Sequence, residues 1–234
     1  MKKKRLENME PQTTPKGLLL LDKPKGKTSF FLVGLLRRLT GVKKIGHAGT
    51  LDPFATGVMV MLIGKEFTKM SDQFLNHDKE YLATLHLGIE TDSYDIDGKV
   101  TFESPIVPPL KDIEKALSAF QGQISQIPPM FSAKKIGGKK LYELARQGKE
   151  IERKPSLVTL KCDIISYNYP HLVINVACSK GTYIRSFASD LGKALGCGAH
   201  LSHLIRTKSG PHELKNCLST ENLTLNAIAA ALLG

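Results

Sequence analysis

Residues 46–59 read GHAGTLDPFATGVM, three glycines and a proline arranged around one carboxylate, Asp52. Between residues 29 and 69 the cations are Arg37, Arg38, Lys43, Lys44, Lys65 and Lys69, while the only acids are Asp52 and Glu66. A carboxylate held in a constrained loop can attack an electrophilic carbon or accept a proton. The positive field around it favours a polyanion, of which RNA is the natural case. Asp-Pro is also a common turn pair, so this stretch taken alone leaves a purely structural role open.

The elements that must hold the loop follow from the pattern around it. Residues 58–63 are an unbroken apolar run between Gly57 and Gly64, which reads as a buried strand beneath the loop. Upstream, residues 18–21 form a short strand running into a turn at Asp22, Lys23, Pro24 and Gly26. Thr28 or Ser29 then caps a helix to about Thr40, with Phe30, Val33, Leu36 and Leu39 expected inward and Gly41 as its stop. Residues 81–88 alternate as a strand with Tyr81, Ala83, Leu85 and Leu87 on one face. Asp92, Asp95, Asp97 and Gly98 resemble a calcium loop, but Ser93 and Ser104 stand where its first and last ligands belong; a solvated hairpin turn is expected.

Further along, residues 111–120 form an amphipathic helix through Ile113, Ala116, Leu117 and Phe120. Pro128 and Pro129 stiffen residues 126–133. Gly137 and Gly138 turn the chain into a short helix over 141–147, closed by Gly148. Residues 158–167 and 172–178 read as paired strands turning near Pro170. A helix is expected from 179 to about 195, its first turn holding Tyr183 and Arg185 and offering N–H groups to an anion. A strand over 200–205 and a helix over 222–233 complete the chain. Helices and strands mix without a βαβ repeat, which points to an α+β fold with a largely antiparallel sheet flanked by helices.

Composition narrows the function classes. The 234 residues are 41% hydrophobic and 24% charged, ordinary for a globular protein with a sizeable core, yet the net charge is +11. Residues 1–16, a basic tail expected to be disordered, carry only +3 of it, so the body is basic in its own right. Between residues 126 and 155 eight basic residues face three acids, a second basic patch. Cys162, Cys178, Cys197 and Cys217 form no CxxC pair, which argues against a zinc or redox motif and fits free thiols in a reducing cytoplasm. No residue run is long and apolar enough for a membrane span or signal peptide. Gly26-Lys27-Thr28 lacks the earlier glycine of a phosphate loop, Leu21 standing there, and no GxGxxG occurs. Neither metal nor nucleotide cofactor is expected.

Four motifs together resemble the TruB-type family of tRNA pseudouridine synthases: LDKPKGKTS at 21–29, GHAGTLDPFATG at 46–57, IPPMFSAKKIGGKKLYELARQG at 127–148 and CSKGTYIRSFASDLG at 178–192. Lys79-Glu80-Tyr81 and Gly198-Ala199-His200 fit in the same order, and the resemblance spans roughly residues 17–210. It implies the pseudouridine synthase fold and isomerisation of uridine 55 in the tRNA T-loop, without a cofactor. The base leaves C1′ at N1, rotates and rejoins through C5, and a stacked uridine must first be flipped out.

By the same resemblance Asp52 is the carboxylate, acting on C1′ or on a sugar proton. Arg185 is its ion-pair partner. Tyr81 stacks on the uracil and helps move the C5 proton, and Leu204 walls the base pocket. His47 fills the gap left by the extruded base. Lys134, Lys135, Lys139 and Lys140 lie in the segment that closes over the RNA phosphates. Lys23, as a support of the site, and Tyr183 complete the RNA-binding set. The implied partner is the tRNA T-arm, with no membrane. Only 24 residues follow Gly210, too few for the RNA-binding PUA domain many members carry, so residues 211–234 are expected to be a short helical extension. The competing expectation is a non-catalytic tRNA-binding or tRNA-folding module.

Overall fold

Four successive leucines at 18–21 and the run at 58–63 do pair, and they are buried on both faces rather than one. The computed structural model describes residues 14–132, 134–145 and 147–234, with the side chains of residues 135, 136 and 140 outside the description. The expected disorder of the tail therefore falls, for residues 1–13, outside the described residues.

In chain order the elements are β1 (Gly17–Lys23), α1 (Ser29–Thr40), β2 (Ile45–His47), β3 (Thr56–Ile63), α2 (Lys65–Lys69), α3 (Ser71–Leu75) and β4 (Lys79–Leu87). Next come β5 (Ile89–Thr91), β6 (Val100–Glu103), α4 (Leu110–Ser118), β7 (Gly122–Gln126), β8 (Lys135–Ile136), β9 (Lys139–Lys140) and α5 (Leu141–Ala145). The last third holds β10 (Ser156–Asn168), β11 (His171–Cys178), α6 (Ile184–Ala194), β12 (Ala199–Ser209), β13 (His212–Glu213), β14 (Leu218–Ser219) and α7 (Leu225–Ala231).

One sheet organises them, in the order β14-β1-β3-β12-β4-β11-β10-β7, with β2 added to β3 and β13 to β12. β1–β14 and β3–β12 are parallel; the other pairs are antiparallel. This is the mixed, largely antiparallel α+β sheet that the pattern implied. Strand β4 alternates buried and half-buried along its length, with Tyr81, Ala83, Leu85 and Leu87 inward. The main core lies where α1, α4, α6 and α7 cover one face, through residues such as Leu36, Ile113, Phe187 and Ile228. Leu18, Leu20, Val58, Val60 and Leu62 form a second cluster on the other face, beneath Phe67 and Phe74.

Among the departures from the sequence reading are three at element boundaries or faces. Helix α1 is capped by Thr28 and stopped by left-handed Gly41 as expected, but its buried residues are Ser29, Leu32, Val33 and Leu36, and Phe30 points outward. Helix α6 begins at Ile184 rather than 179. Left-handed Gly181 interrupts the approach, and the Gln126 amide clamps both the N–H and the carbonyl of Tyr183, holding it extended. Helix α7 is shorter than expected because Leu233 exchanges two backbone hydrogen bonds with Leu18 in place of a last helical turn.

Gly57 shows how closely the sheet is drawn together under the loop. Its φ is +105°, and a Cβ there would collide with the Arg206 backbone on β12. Replacing it with alanine strains both the dihedral and the β3–β12 contact. We expect Gly57→Ala to cost roughly 3 kcal/mol or more, read as a lower urea midpoint; a wild-type midpoint would contradict this packing.

Candidate active site

The loop between β2 and β3 is tied down on every side. Ser29 Oγ, at the start of α1, donates to the Leu51 carbonyl and accepts from the Leu51 N–H, at 3.1 and 2.9 Å. Gly26 N–H donates to the Pro53 carbonyl at 2.8 Å, and Ala48 N–H to the Val60 carbonyl at 2.9 Å. Leu51, Phe54 and Ala55 bury their side chains in the main core. Asp52 turns outward from this anchored segment, with its side chain 35% exposed.

Lys23 completes the fastening from below. Its ammonium donates to the carbonyls of Pro24, Lys27 and Pro53, at 3.0, 2.6 and 3.1 Å, so all three protons are used. It is fully buried and does not line the cleft, which makes it a support of the loop rather than an RNA contact. Burial pulls its pKa down from 10.5 to about 8, with Asp52 opposing the shift and Arg206 adding to it.

Asp52 opens onto a cleft of about 800 Å³, shared with Tyr81, Ser93, Tyr183, Leu204 and Arg206. Arg185, from the first turn of α6, reaches the carboxylate with Nε to Oδ2 at 2.9 Å and Nη2 to Oδ1 at 3.3 Å. Its Nη1 meets Asp95 Oδ2 at 3.2 Å and donates to the Ser93 carbonyl at 3.1 Å, while Nη2 also donates to the Phe131 carbonyl at 2.6 Å. Three hydrogen bonds and ion pairs to two carboxylates thus hold the guanidinium. The side chain is only 5% exposed. Such a group cannot swing, and the bidentate contact fixes the plane of the Asp52 carboxylate.

Asp95 was missed in the sequence and corrects the expected solvated turn. It is buried, its Oδ1 accepting from Ser93 Oγ at 2.6 Å and from the Asp97 N–H at 3.1 Å. Burial pushes its carboxyl upward; the Ser93 hydrogen bond and the Arg185 charge oppose this, and Asp52 adds to it. The sequence offered only three spaced acids, with no mark to show that the middle one folds inward.

Arg206 was missed as well. It lies directly opposite Tyr81 in the β12–β4 register and is 1% exposed. Its Nε donates to the Val58 carbonyl at 2.7 Å and Nη2 to the Gly49 carbonyl at 3.3 Å. Among the described residues no carboxylate forms an ion pair with it. Burial raises the pKa of Tyr81, the neighbouring Arg206 charge opposing, so its phenol stays protonated at neutral pH. A cation two residues from Leu204, on the apolar period of a strand, was the available signal.

The remaining expected residues fall as follows. Leu204 is buried and lines the cleft. Tyr183 lines it too, but its backbone N–H is taken by Gln126 and is not free for an anion, contrary to the sequence reading. His47 ends β2 outside the cleft lining, with burial and Arg206 lowering its pKa. Lys134 and Lys139 are exposed on the segment whose Phe131, Ser132 and Tyr142 border the cleft; the side chains of Lys135 and Lys140 lie outside the described residues. Among the described residues no group of three or more His, Cys, Asp or Glu side chains could hold a metal, and no helix is long and apolar enough to cross a membrane.

Comparison with known proteins decides the family. The model described as TruB family pseudouridylate synthase (N terminal domain) matches residues 37–184, and that of the tRNA pseudouridylate synthase B C-terminal domain matches 185–233. The chain belongs to the TruB family. It is an isomerase, a pseudouridine synthase. The relatives named tRNA pseudouridine synthase B include that of Protochlamydia amoebophila, 62% identical over 209 residues, 89% of this chain and 80% of the relative. That of Chlamydia felis is 60% identical over 86% of each chain.

Among solved structures, a Cbf5-Nop10-Gar1 complex contains a chain similar with a TM-score of 0.72 at 27% identity. The match covers 93% of this TruB-family chain but 59% of that one, so this chain spans less than two thirds of its length. The boundary between the two family matches falls just before Arg185, whereas the sheet runs continuously across it. The Asp52–Arg185 pair bridges the two matched regions.

Two outcomes follow from this geometry. Removing the Asp95 side chain leaves a buried guanidinium short of a carboxylate, so Asp95→Ala should cost roughly 3 kcal/mol in urea unfolding; less than about 1 kcal/mol would mean the pair is not buried in solution. For Lys23, NMR of ¹³Cε-labelled lysine should show a resonance titrating near pH 8 that vanishes in Lys23→Met. The unfolded chain holds that proton up to about pH 10.5, so Lys23 makes the fold more stable as pH rises from about 8 to 10.5. Only ordinary lysine titrations would refute the burial of this ammonium.

Proposed function

We propose that the protein converts uridine 55 in the T-loop of tRNA to pseudouridine, with the target base flipped into the Asp52 cleft. The observation that carries this reading is the outward-facing Asp52 carboxylate, gripped at 2.9 Å by a buried Arg185 inside a cleft that also holds Tyr81 and Leu204. The name tRNA pseudouridine synthase B, borne by relatives such as that of Protochlamydia amoebophila, supports tRNA as the substrate. The exposed cations Lys134 and Lys139, on the segment whose Phe131, Ser132 and Tyr142 border the cleft, and the basic body suit its phosphates.

In this reading the ionised Asp52 either attacks C1′ or removes a sugar proton, and the C1′–N1 bond breaks. The uracil then turns within the cleft between Tyr81 and Leu204 and forms the C1′–C5 bond. The hydrogen on C5 leaves as a proton and N1 gains one, so atoms and electrons balance without a redox partner. Tyr81, its phenol protonated, presents its ring to the base. Closure of the segment around Lys134 and Lys139 over the RNA would hold the flipped nucleotide. Four free thiols, Cys162, Cys178, Cys197 and Cys217, suit a reducing cytoplasm.

The test uses a T-arm stem-loop tritiated at C5 of its uridines, incubated with the full chain in the presence of EDTA. The wild type should release tritium, and Asp52→Asn should lower the rate by roughly 10⁴-fold or more. No release from the wild type, or undiminished release from the variant, would defeat the proposal.

A further inference from the structure

Phe30 and Phe31 stand in the first turn of α1 with 66% and 40% of their surface exposed. A single exposed apolar side chain needs no explanation, but these two are adjacent and each has a cation at its ring. Lys27 Nζ lies 5.1 Å from the centroid of Phe31, and Arg37 Cζ lies 5.9 Å from that of Phe30. The surrounding chain is one-signed. No acid occurs from Pro24 to Leu51, while Lys25, Lys27, Arg37, Arg38, Lys43 and Lys44 are all exposed. Aromatic faces set among cations are the arrangement that binds single-stranded nucleic acid, bases stacking on the rings and phosphates meeting the charges.

The pair is also mechanically continuous with the active site. Phe31 N–H donates to Thr28 Oγ1 at 3.1 Å. The Lys27 carbonyl accepts from Lys23, which in the same geometry holds the Pro53 carbonyl, and Gly26 N–H donates to Pro53 as well. Phe30, Phe31 and Asp52 therefore sit on one braced unit, with little freedom to move relative to each other.

We propose that Phe30 and Phe31 form a second nucleobase platform, stacking an unpaired base of the substrate RNA outside the catalytic cleft while Lys27 and Arg37 hold the adjoining phosphates. The proposal rests on the reading of the cleft as an RNA site. Stacking tolerates any base, so the platform adds affinity and register rather than chemistry.

The chain contains no tryptophan, so Phe30→Trp places a single reporter at the platform. Its fluorescence should be quenched saturably by the T-arm stem-loop, and hardly at all by inorganic polyphosphate, which supplies charge without bases. The double variant Phe30→Ser/Phe31→Ser should raise KM for the stem-loop roughly ten-fold, with the loss confined to KM and the unfolding midpoint as in the wild type. Equal quenching by polyphosphate, or an unchanged KM, would overturn the platform. Concentration-dependent dimerisation of the wild type that the double variant abolishes would also overturn it, assigning the face to a second copy of the chain. A wild type that forms no pseudouridine would overturn the reading of the cleft, and the quenching measurement would still decide the platform.

Discussion

The Arg185 guanidinium is the point at which three separate parts of the chain become one site. The loop carrying Asp52, the turn carrying Ser93 and Asp95, and the segment at Phe131 are far apart in sequence, and each gives one or two acceptors to the same buried cation. A buried ion pair is weak evidence of stability, because desolvation offsets the attraction. Its value here is geometric. Held by three hydrogen bonds and two carboxylates, Arg185 is fixed in its pose, and Asp52 inherits its orientation from it. The second carboxylate, Asp95, lets the guanidinium be buried at all, while Asp52 keeps its outer side open to a substrate.

Positive charge beneath the site has a different basis. Lys23 and Arg206 are held by backbone carbonyls rather than by acids. Partial charges on those oxygens compensate the cations only in part, and the remaining field extends to their neighbours. Burial lowers the pKa values of Lys23, His47 and Lys79, and the Arg206 charge adds to each shift. A fixed field of this sign favours whatever negative charge develops above it. Gly57 belongs to the same device, since it lies against the Arg206 backbone and leaves room for the strand that bears it.

Much of this could be read in the sequence, and the failures have physical causes. The apolar runs, the Thr28 and Gly41 caps and the alternation of β4 are local signals, and the sheet reproduces them. Asp52 was legible because a lone acid among cations and glycines is locally odd. Asp95 was not, since its burial depends on Arg185, 90 positions downstream, and a row of acids reads as solvated until that partner is known. Phe30 was placed inward because helical period and hydrophobicity agree; the packing of Leu32 and Leu36 rotated the helix the other way. The start of α6 was misplaced because Gln126, a long-range partner, holds Tyr183 extended. Arg206 was overlooked because the strand signal ended at Ile205, one residue short.

Strand β12 gives the fold an order in time. It lies between β3 and β4, which are near neighbours in sequence but do not pair, so the centre of the sheet is filled by one of the last strands to be made. Until residues 199–209 leave the ribosome, the earlier strands have two unjoined edges facing a gap, with Tyr81 on one side and the Asp52 loop on the other. Contacts of this span close slowly and leave apolar edges open meanwhile. The same insertion delivers Leu204 and Arg206, so sheet closure and completion of the cleft are a single event. A nascent chain therefore carries Asp52 for most of its synthesis without the cleft that surrounds it in the folded protein.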